Sequence, residues 1–487
     1  MKKPVRKLAL FVVVLFALVV ANLNWLQVVR ANALRNNPAN TRVLLDEYQR
    51  QRGAIVVDGK AIATSVKTKD QLKYLRTYPQ GGEYAAVTGY YSIVYGATGI
   101  EKTENDVLSG TDDRLVGTAI GDLFSGRDPK GGNVVLTLDS AAQDAAYNAL
   151  VAAKVVGGVV ALDPKTGAIL AVASTPSYDP NTLSSHSPSA IRAASQALSA
   201  QNPDPRNNQA LSENYPPGST FKIIDMAAAL DKGMKPDDKV PAPDLYKLPG
   251  TQTTLSNYNG ESCTSTGEDT LLHSFTISCN TTFAKLVVDE IGETSLRSMA
   301  KKFGVTGNSF ETPLKVAPSS LGDIIDKAAL AQSAIGQRDV RFTTMQAAML
   351  SATVANGGQL MKPYMIKETQ APDLSVLDTT SPEKFGDQAI SKSQAKDLTD
   401  MMVSVVQNGS GKAAKISGVD VAGKTGTAQV ATGIPDHTWF TGFAPANNPK
   451  IAVAVFIKNG GGTGGEKSAP IAADVMKAYL NAHGGGK

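Results

Sequence analysis

The sequence predicts an α+β protein whose main sheet is antiparallel and assembled from both ends of a long exported segment. Strand-like runs stand at 134–138, 159–162 and 169–172 and return at 419–422, 439–443 and 451–457. Between them, from about 187 to 415, helical spacing prevails, as in Phe283, Leu286, Val287 and Ile291. Strands at two distant ends with helices between them favour one sheet closed by remote segments and covered by helices.

Composition narrows the class further. At ~150 residues per domain, a chain of 487 residues predicts two to four domains. Hydrophobic residues make up 42% and charged residues 19%, a globular balance that excludes wholesale disorder and a polytopic membrane protein. The net charge of +4 leaves no nucleic-acid footprint. Two cysteines and four histidines, without HExxH or CxxC spacing, point away from a structural zinc module.

The first element is a membrane segment. Lys2, Lys3, Arg6 and Lys7 form a basic tail, 1–7, ahead of the uncharged stretch 8–29. Such a helix can cross a hydrocarbon core of ~30 Å, with the basic end cytoplasmic and the rest of the chain outside. A cleaved signal peptide is the alternative, with Val19-Val20-Ala21 or Ala31-Asn32-Ala33 as the processing site.

Next comes a mixed module, 30–132, with strand-like runs at Gly53–Val57 and Tyr90–Tyr95 and no catalytic cluster. The Gly-rich patch Ser125–Gly132 marks its end and the start of a second domain, 133–487. After the strand at 134–138, Asp139 and Ser140 cap a helix. Asp163-Pro-Lys-Thr-Gly167 then turns one strand back on another, Pro presetting φ early and Gly accepting positive φ late. The last strands lead through the loop Asn459–Gly465 into a closing helix near 469–480.

Three short motifs carry candidate chemistry. In Tyr215-Pro-Pro-Gly-Ser-Thr-Phe-Lys222 the prolines and glycine end one segment and a helix begins, so Ser219 lies at its first turn. Lys222, three residues on, shares that face and can take the serine proton if burial or nearby positive charge lowers its pKa. Ser278-Cys279-Asn280 offers a hydroxyl and an amide just before another helix. Gly423-Lys424-Thr425-Gly426-Thr427 continues a strand, pairing a cation with hydroxyls suited to a carboxylate, and Gly426 predicts close approach of another backbone. Alone, each has an ordinary structural explanation.

In this order, S-x-x-K, S-x-N and K-T-G resemble the set shared by penicillin-binding proteins and serine β-lactamases. The chain is similar to class B penicillin-binding proteins, most closely the penicillin-binding protein A group of actinobacteria. The resemblance includes Gly157–Gly167, Ser177-Tyr-Asp-Pro-Asn181, Gly336-Gln337 and Trp439–Phe443, and in the N-terminal module Tyr78-Pro79, Gly89-Tyr90 and Gly99-Ile-Glu101. Two departures stand out: Asn208-Gln209-Ala210 where Asn-Arg-Ala is usual, and Gly336-Gln337-Arg338 where Gly-Gln-Gly is common.

The resemblance implies a non-catalytic dimerisation or pedestal-like module before a transpeptidase domain, the latter a five-stranded antiparallel sheet with a mainly helical half. It implies a D,D-transpeptidase that cross-links peptidoglycan stem peptides in growth and division and is acylated by β-lactams. Ser219 would be the nucleophile, Lys222 its base, Ser278 a proton relay and Asn280 a positioning amide. Lys424, Thr425 and Thr427 would hold the terminal carboxylate beside Gly426, and the backbone N–H groups of Ser219 and Thr427 would form the oxyanion hole.

No cofactor or metal is implied. The implied partners are the cell membrane and, among proteins, a polytopic glycosyltransferase and other division or elongation factors. A D,D-carboxypeptidase shares every motif; a β-lactamase or an antibiotic sensor fits the long anchored N-terminal part less well. His437 is expected to be structural, since a lysine already supplies the base. Cys263 and Cys279, the only cysteines and both exported, are expected to pair and restrain the middle motif, with ~3 kcal/mol from loop closure.

Overall fold

The computed structural model describes residues 2–30, 48–115 and 130–484. Ala31-Asn32-Ala33 and most of the Ser125–Gly132 patch lie outside the described residues. Helix α1 (Lys2–Asn24) continues as a π-helical turn over Trp25–Val29. From Lys3 to Val29 it is long and apolar enough to cross a membrane, a property that a leader at this position shares.

Strands β1 (Ile55–Val57), β2 (Lys60–Lys67) and β3 (Tyr74–Thr77) form an antiparallel run, and β4 (Asn133–Leu136) pairs with β1 in parallel. Two strands from far downstream, Ile366–Gln370 and Val376–Thr379, extend this sheet beyond β4. The N-terminal module is thus joined to the downstream chain by main-chain hydrogen bonds. Within Tyr90–Tyr95 only Tyr91–Ser92 is a strand, paired with Gly96–Ala97.

Tyr78 and Glu101, noted in the sequence, meet inside this module. The Glu101 carboxylate is fully buried and accepts from Arg52 Nε and Arg76 Nε, each at 2.6 Å, and from the Tyr78 hydroxyl at 3.1 Å. A buried carboxylate persists only when so compensated.

The main sheet is antiparallel and five-stranded. Helix α2 (Ser140–Ala153), capped by the Asp139 carboxylate on Ala142 N–H at 2.9 Å, precedes β5 (Val156–Leu162) and β6 (Ile169–Thr175). The remaining strands are β7 (Ala422–Ala428), β8 (His437–Ala444) and β9 (Ile451–Lys458), in the order β7-β8-β9-β5-β6. Closure is the pairing of β9 with β5, which sets Val455 against Val159 and Val453 against Ala161.

Both faces are covered, which explains the nearly continuous apolar runs. Val159, Ala161, Val453 and Val455 pack with α2 and a C-terminal helix (Gly464–Ala482). Their neighbours Val160, Leu162, Ala454 and Phe456 face the core of the helical half. The predicted strand at 419–422 is displaced: Val419 makes only an isolated bridge to Ile416, and the strand proper is Ala422–Ala428. Its glycines are poor strand formers locally, yet packing demands them. A Cβ on Gly423 would lie 2.4 Å from the Phe440 ring, and one on Gly426 would lie 2.5 Å from the Pro217 carbonyl oxygen.

Candidate active site

Ser219 lies in a 3-10 turn, Gly218–Phe221, that runs directly into helix α3 (Lys222–Asp231). The turn forms because Gly218 takes φ +54, and no Cβ fits there: one would lie 2.4 Å from the Thr427 carbonyl oxygen. That close approach seats the serine turn on edge strand β7. The backbones of Ser219 and Thr427 are thereby neighbours.

One helical turn brings Lys222 Nζ to 3.0 Å from Ser219 Oγ. The other contacts of Lys222 Nζ are Asn280 Oδ1 at 2.7 Å, the Ser278 carbonyl oxygen at 2.8 Å and Ser278 Oγ at 3.3 Å. The side chain is fully buried, and burial, reinforced by the charge of Lys424, holds its pKa well below the ordinary lysine value. The geometry suits the neutral amine. Two N–H groups point at obligate acceptors, and the lone pair is left for the hydroxyl of Ser219.

The middle motif sits between helices α4 (Leu271–Ile277) and α5 (Asn280–Leu286). Ser278 closes α4 in the left-handed region, at φ +68. For a residue with a Cβ this costs ~1–2 kcal/mol, and here it turns the hydroxyl toward both lysines. Lys424, on β7, donates to Ser278 Oγ at 2.8 Å. Burial lowers its pKa to about 7.

Thr425 is buried and shares a 2.6 Å hydrogen bond with Ser410, while Thr427 Oγ1 accepts from Gly464 N–H at 3.3 Å. Ser219, Lys222, Ser278, Asn280 and Lys424 therefore form one connected network, with Thr425, Gly426 and Thr427 along its floor. His437, at the start of β8, accepts from Asn459 N–H through Nδ1 at 3.1 Å and belongs to no Ser-His-Asp arrangement among the described residues.

Three residues were not found from the sequence. Asn257 is buried, and its Oδ1 accepts from the N–H groups of Asn280 at 2.9 Å and Thr281 at 3.0 Å. It caps α5 from a remote loop, where Cys279 supplies no side-chain cap. Asp225 is fully buried one turn beyond Lys222, neither carboxyl oxygen has a hydrogen-bond partner among the described residues, and burial pushes its pKa well above the carboxylate range. Ser410 is the third. A polar side chain remote in sequence leaves no local signal.

Cys263 and Cys279 are joined as a disulfide, with Cα atoms 6.0 Å apart. The bridge and Asn257 fasten the same loop to the backbone carrying Ser278 and Asn280. Alkylation of the denatured, unreduced protein should modify neither cysteine, and two modified cysteines per chain would exclude the bridge. Reduction should slow acylation of Ser219 more than its effect on melting temperature suggests, because the motif loses its restraint.

Known proteins resemble this chain in sequence and fold. The penicillin binding protein transpeptidase domain matches residues 157–477, and the penicillin binding protein A dimerisation domain matches residues 52–134. The peptidoglycan D,D-transpeptidase PbpA of Mycolicibacterium smegmatis is 44% identical over 99% of both chains, and that of Mycobacterium tuberculosis is 43% identical over the same share. The ceftriaxone acyl-enzyme complex of M. tuberculosis penicillin-binding protein A superposes with a TM-score of 0.87, at 43% identity, covering 90% of this chain and 100% of that one. With a family match over more than half its length and relatives this similar from end to end, the chain belongs to the penicillin-binding protein transpeptidase family.

Proposed function

We propose that this chain is a peptidoglycan D,D-transpeptidase that works through an acyl-enzyme on Ser219. The observation that carries the reading is the buried Lys222 amine, 3.0 Å from Ser219 Oγ, with its other contacts made by the Ser278 carbonyl, Ser278 Oγ and Asn280. Neutral Lys222 accepts the serine proton as Oγ attacks the D-Ala–D-Ala carbonyl of a stem peptide. The backbone N–H groups of Ser219 and Thr427 receive the oxyanion, each donor worth ~3 kcal/mol.

Ser278, bonded to both lysines, passes the proton to the departing D-alanine nitrogen. Lys424, with Thr425 and Thr427, holds the terminal carboxylate, and Asn280 fixes Lys222 and the substrate amide. A second stem peptide's amine then attacks the acyl-enzyme, forming the cross-link and regenerating Ser219. β-Lactams enter by the same first step. The apolar helix anchors the chain with its basic end cytoplasmic and the catalytic domain outside.

Incubating the detergent-solubilised full chain with a donor peptide and an amine acceptor tests the reading. Cross-linked product with stoichiometric D-alanine release is expected. Hydrolysed donor alone would make the protein a carboxypeptidase, and neither product would sink the proposal.

The pH dependence follows from the two lysines. Lys222 must be neutral, so kcat/KM rises with pH as its lowered pKa is passed. Lys424 is to hold a carboxylate as a cation, so kcat/KM falls as pH climbs through about 7, its pKa in the free enzyme. The profile should be a bell. Lys424→Arg keeps its charge at every working pH, so the falling limb should move out of range while activity survives at reduced level. An unchanged falling limb would assign it to another group.

A further inference from the structure

Past Thr427, the edge strand leads to a cavity of about 560 Å³ whose walls include Tyr215, Gln337, Arg338, Arg341, Gln429 and His437. It adjoins the catalytic turn on both sides: Tyr215 lies just ahead of Ser219, and Gln337 follows Gly336, whose carbonyl oxygen accepts from Gly218 N–H at 3.0 Å. Among the described residues, two arginines and no carboxylate line it.

Arg341 is held in place by Nη1, which donates to the carbonyl oxygens of Arg338 at 2.6 Å and Val340 at 2.9 Å. Its Nε and Nη2 make no hydrogen bond to the described residues. Arg338 stands at φ +60, where glycine is the unstrained residue, so the position retains a cationic side chain against backbone preference. Its Nε lies 3.4 Å from Asp339, a carboxylate half exposed to solvent. Lys458 adds a third positive charge, 5.5 Å from the Tyr215 ring centroid and without an ion pair among the described residues. Burial and the positive charges of Lys458 and Arg341 push the His437 pKa down to about 4.

Strand β7 is the edge of its sheet. An extended peptide can lie along such an edge. With its terminal carboxylate at Lys424–Thr427 and its scissile carbonyl at Ser219, its upstream residues pass Ala428 and Gln429 and reach the cavity. We infer that Arg338 and Arg341 receive a side-chain carboxylate on the donor stem peptide, carried by the diamino-acid residue just upstream of D-Ala–D-Ala. The inference rests on the transpeptidase reading and adds a specificity to it: donors with this carboxylate free are preferred over donors in which it is amidated or absent.

Three synthetic donors test it, identical except that the residue before D-Ala–D-Ala bears a free carboxylate, a carboxamide or only a lysine amine. D-Alanine release is measured for wild type, Arg338→Gly and Arg341→Gln, with active sites counted by fluorescent penicillin. Wild type should favour the carboxylate donor over the carboxamide by about tenfold in kcat/KM, the scale of a partly solvated charge-assisted pair. Added salt should narrow that preference. Arg338→Gly suits the backbone and should not lower the melting temperature, yet it should shrink the preference to about twofold.

Equal kcat/KM for the carboxylate and carboxamide donors in wild type would overturn the inference. So would a preference that survives both substitutions. No D-alanine release from any donor, by protein that labels fully with penicillin, would sink the transpeptidase reading and this inference with it.

Discussion

Ser219→Ala is expected to abolish covalent labelling by a fluorescent penicillin, a loss of about a millionfold, the scale of removing the nucleophile of an acyl-transfer site. Two hydroxyls compete for the role, because Lys222 Nζ is 3.0 Å from Ser219 Oγ and 3.3 Å from Ser278 Oγ. Ser278 is the poorer candidate. Its oxygen is already bonded by Lys424 at 2.8 Å, and it ends a helix rather than opening one. Ser219 opens the segment leading into α3, where free N–H groups and the helix dipole favour the developing negative charge. The adduct should be found by mass spectrometry on the peptide containing Ser219. An adduct on the Ser278 peptide, or full labelling of Ser219→Ala, would reverse the assignment.

Lys222→Arg should slow acylation about a thousandfold although the formal charge is kept, because the guanidinium cannot accept the serine proton at working pH. The lysine site is closed to solvent and offers one carbonyl, one amide oxygen and two hydroxyls, with no carboxylate among its hydrogen-bond partners. A larger, permanently charged group there also strains the fold. Lys222→Met separates the two effects, being apolar and of similar length. It should keep the melting temperature within a few degrees and still fail to acylate, as followed by stopped-flow with a chromogenic cephalosporin. Acylation of Lys222→Arg near the wild-type rate would reduce Lys222 to an electrostatic part and make Ser278 the better base.

Much of this chemistry is legible locally. Ser219 and Lys222 are one turn apart on a segment whose start is announced by Pro216, Pro217 and Gly218, so helical periodicity alone puts them on one face. Ser278-Cys279-Asn280 and Lys424-Thr425-Gly426 are recognisable only in combination, since each is an ordinary cap or edge strand by itself. The N-terminal module is less legible. Its sheet borrows Ile366–Gln370 from the other side of the chain, and nothing in that short polar strand indicates its partner.

The strand carrying Lys424 marks the boundary of such reading. Its continuation through Gly423–Thr427 and the close approach at Gly426 are legible in the sequence, but its start is not: the strand begins at Ala422 rather than Val419, and Phe440 and the Pro217 carbonyl press where only Gly423 and Gly426 leave room. By itself the sequence determined the residue types, their spacing along each element and the helix that aligns Ser219 with Lys222, all short-range consequences of backbone geometry. Only the tertiary structure decided that β9 closes on β5, that Asn257 caps the helix of Asn280, that Asp225 is buried without a hydrogen bond to the described residues, and that Lys222 and Lys424 lose all solvent. Desolvation is a sum over every segment packed around a group, and it converts an ordinary surface lysine into a base.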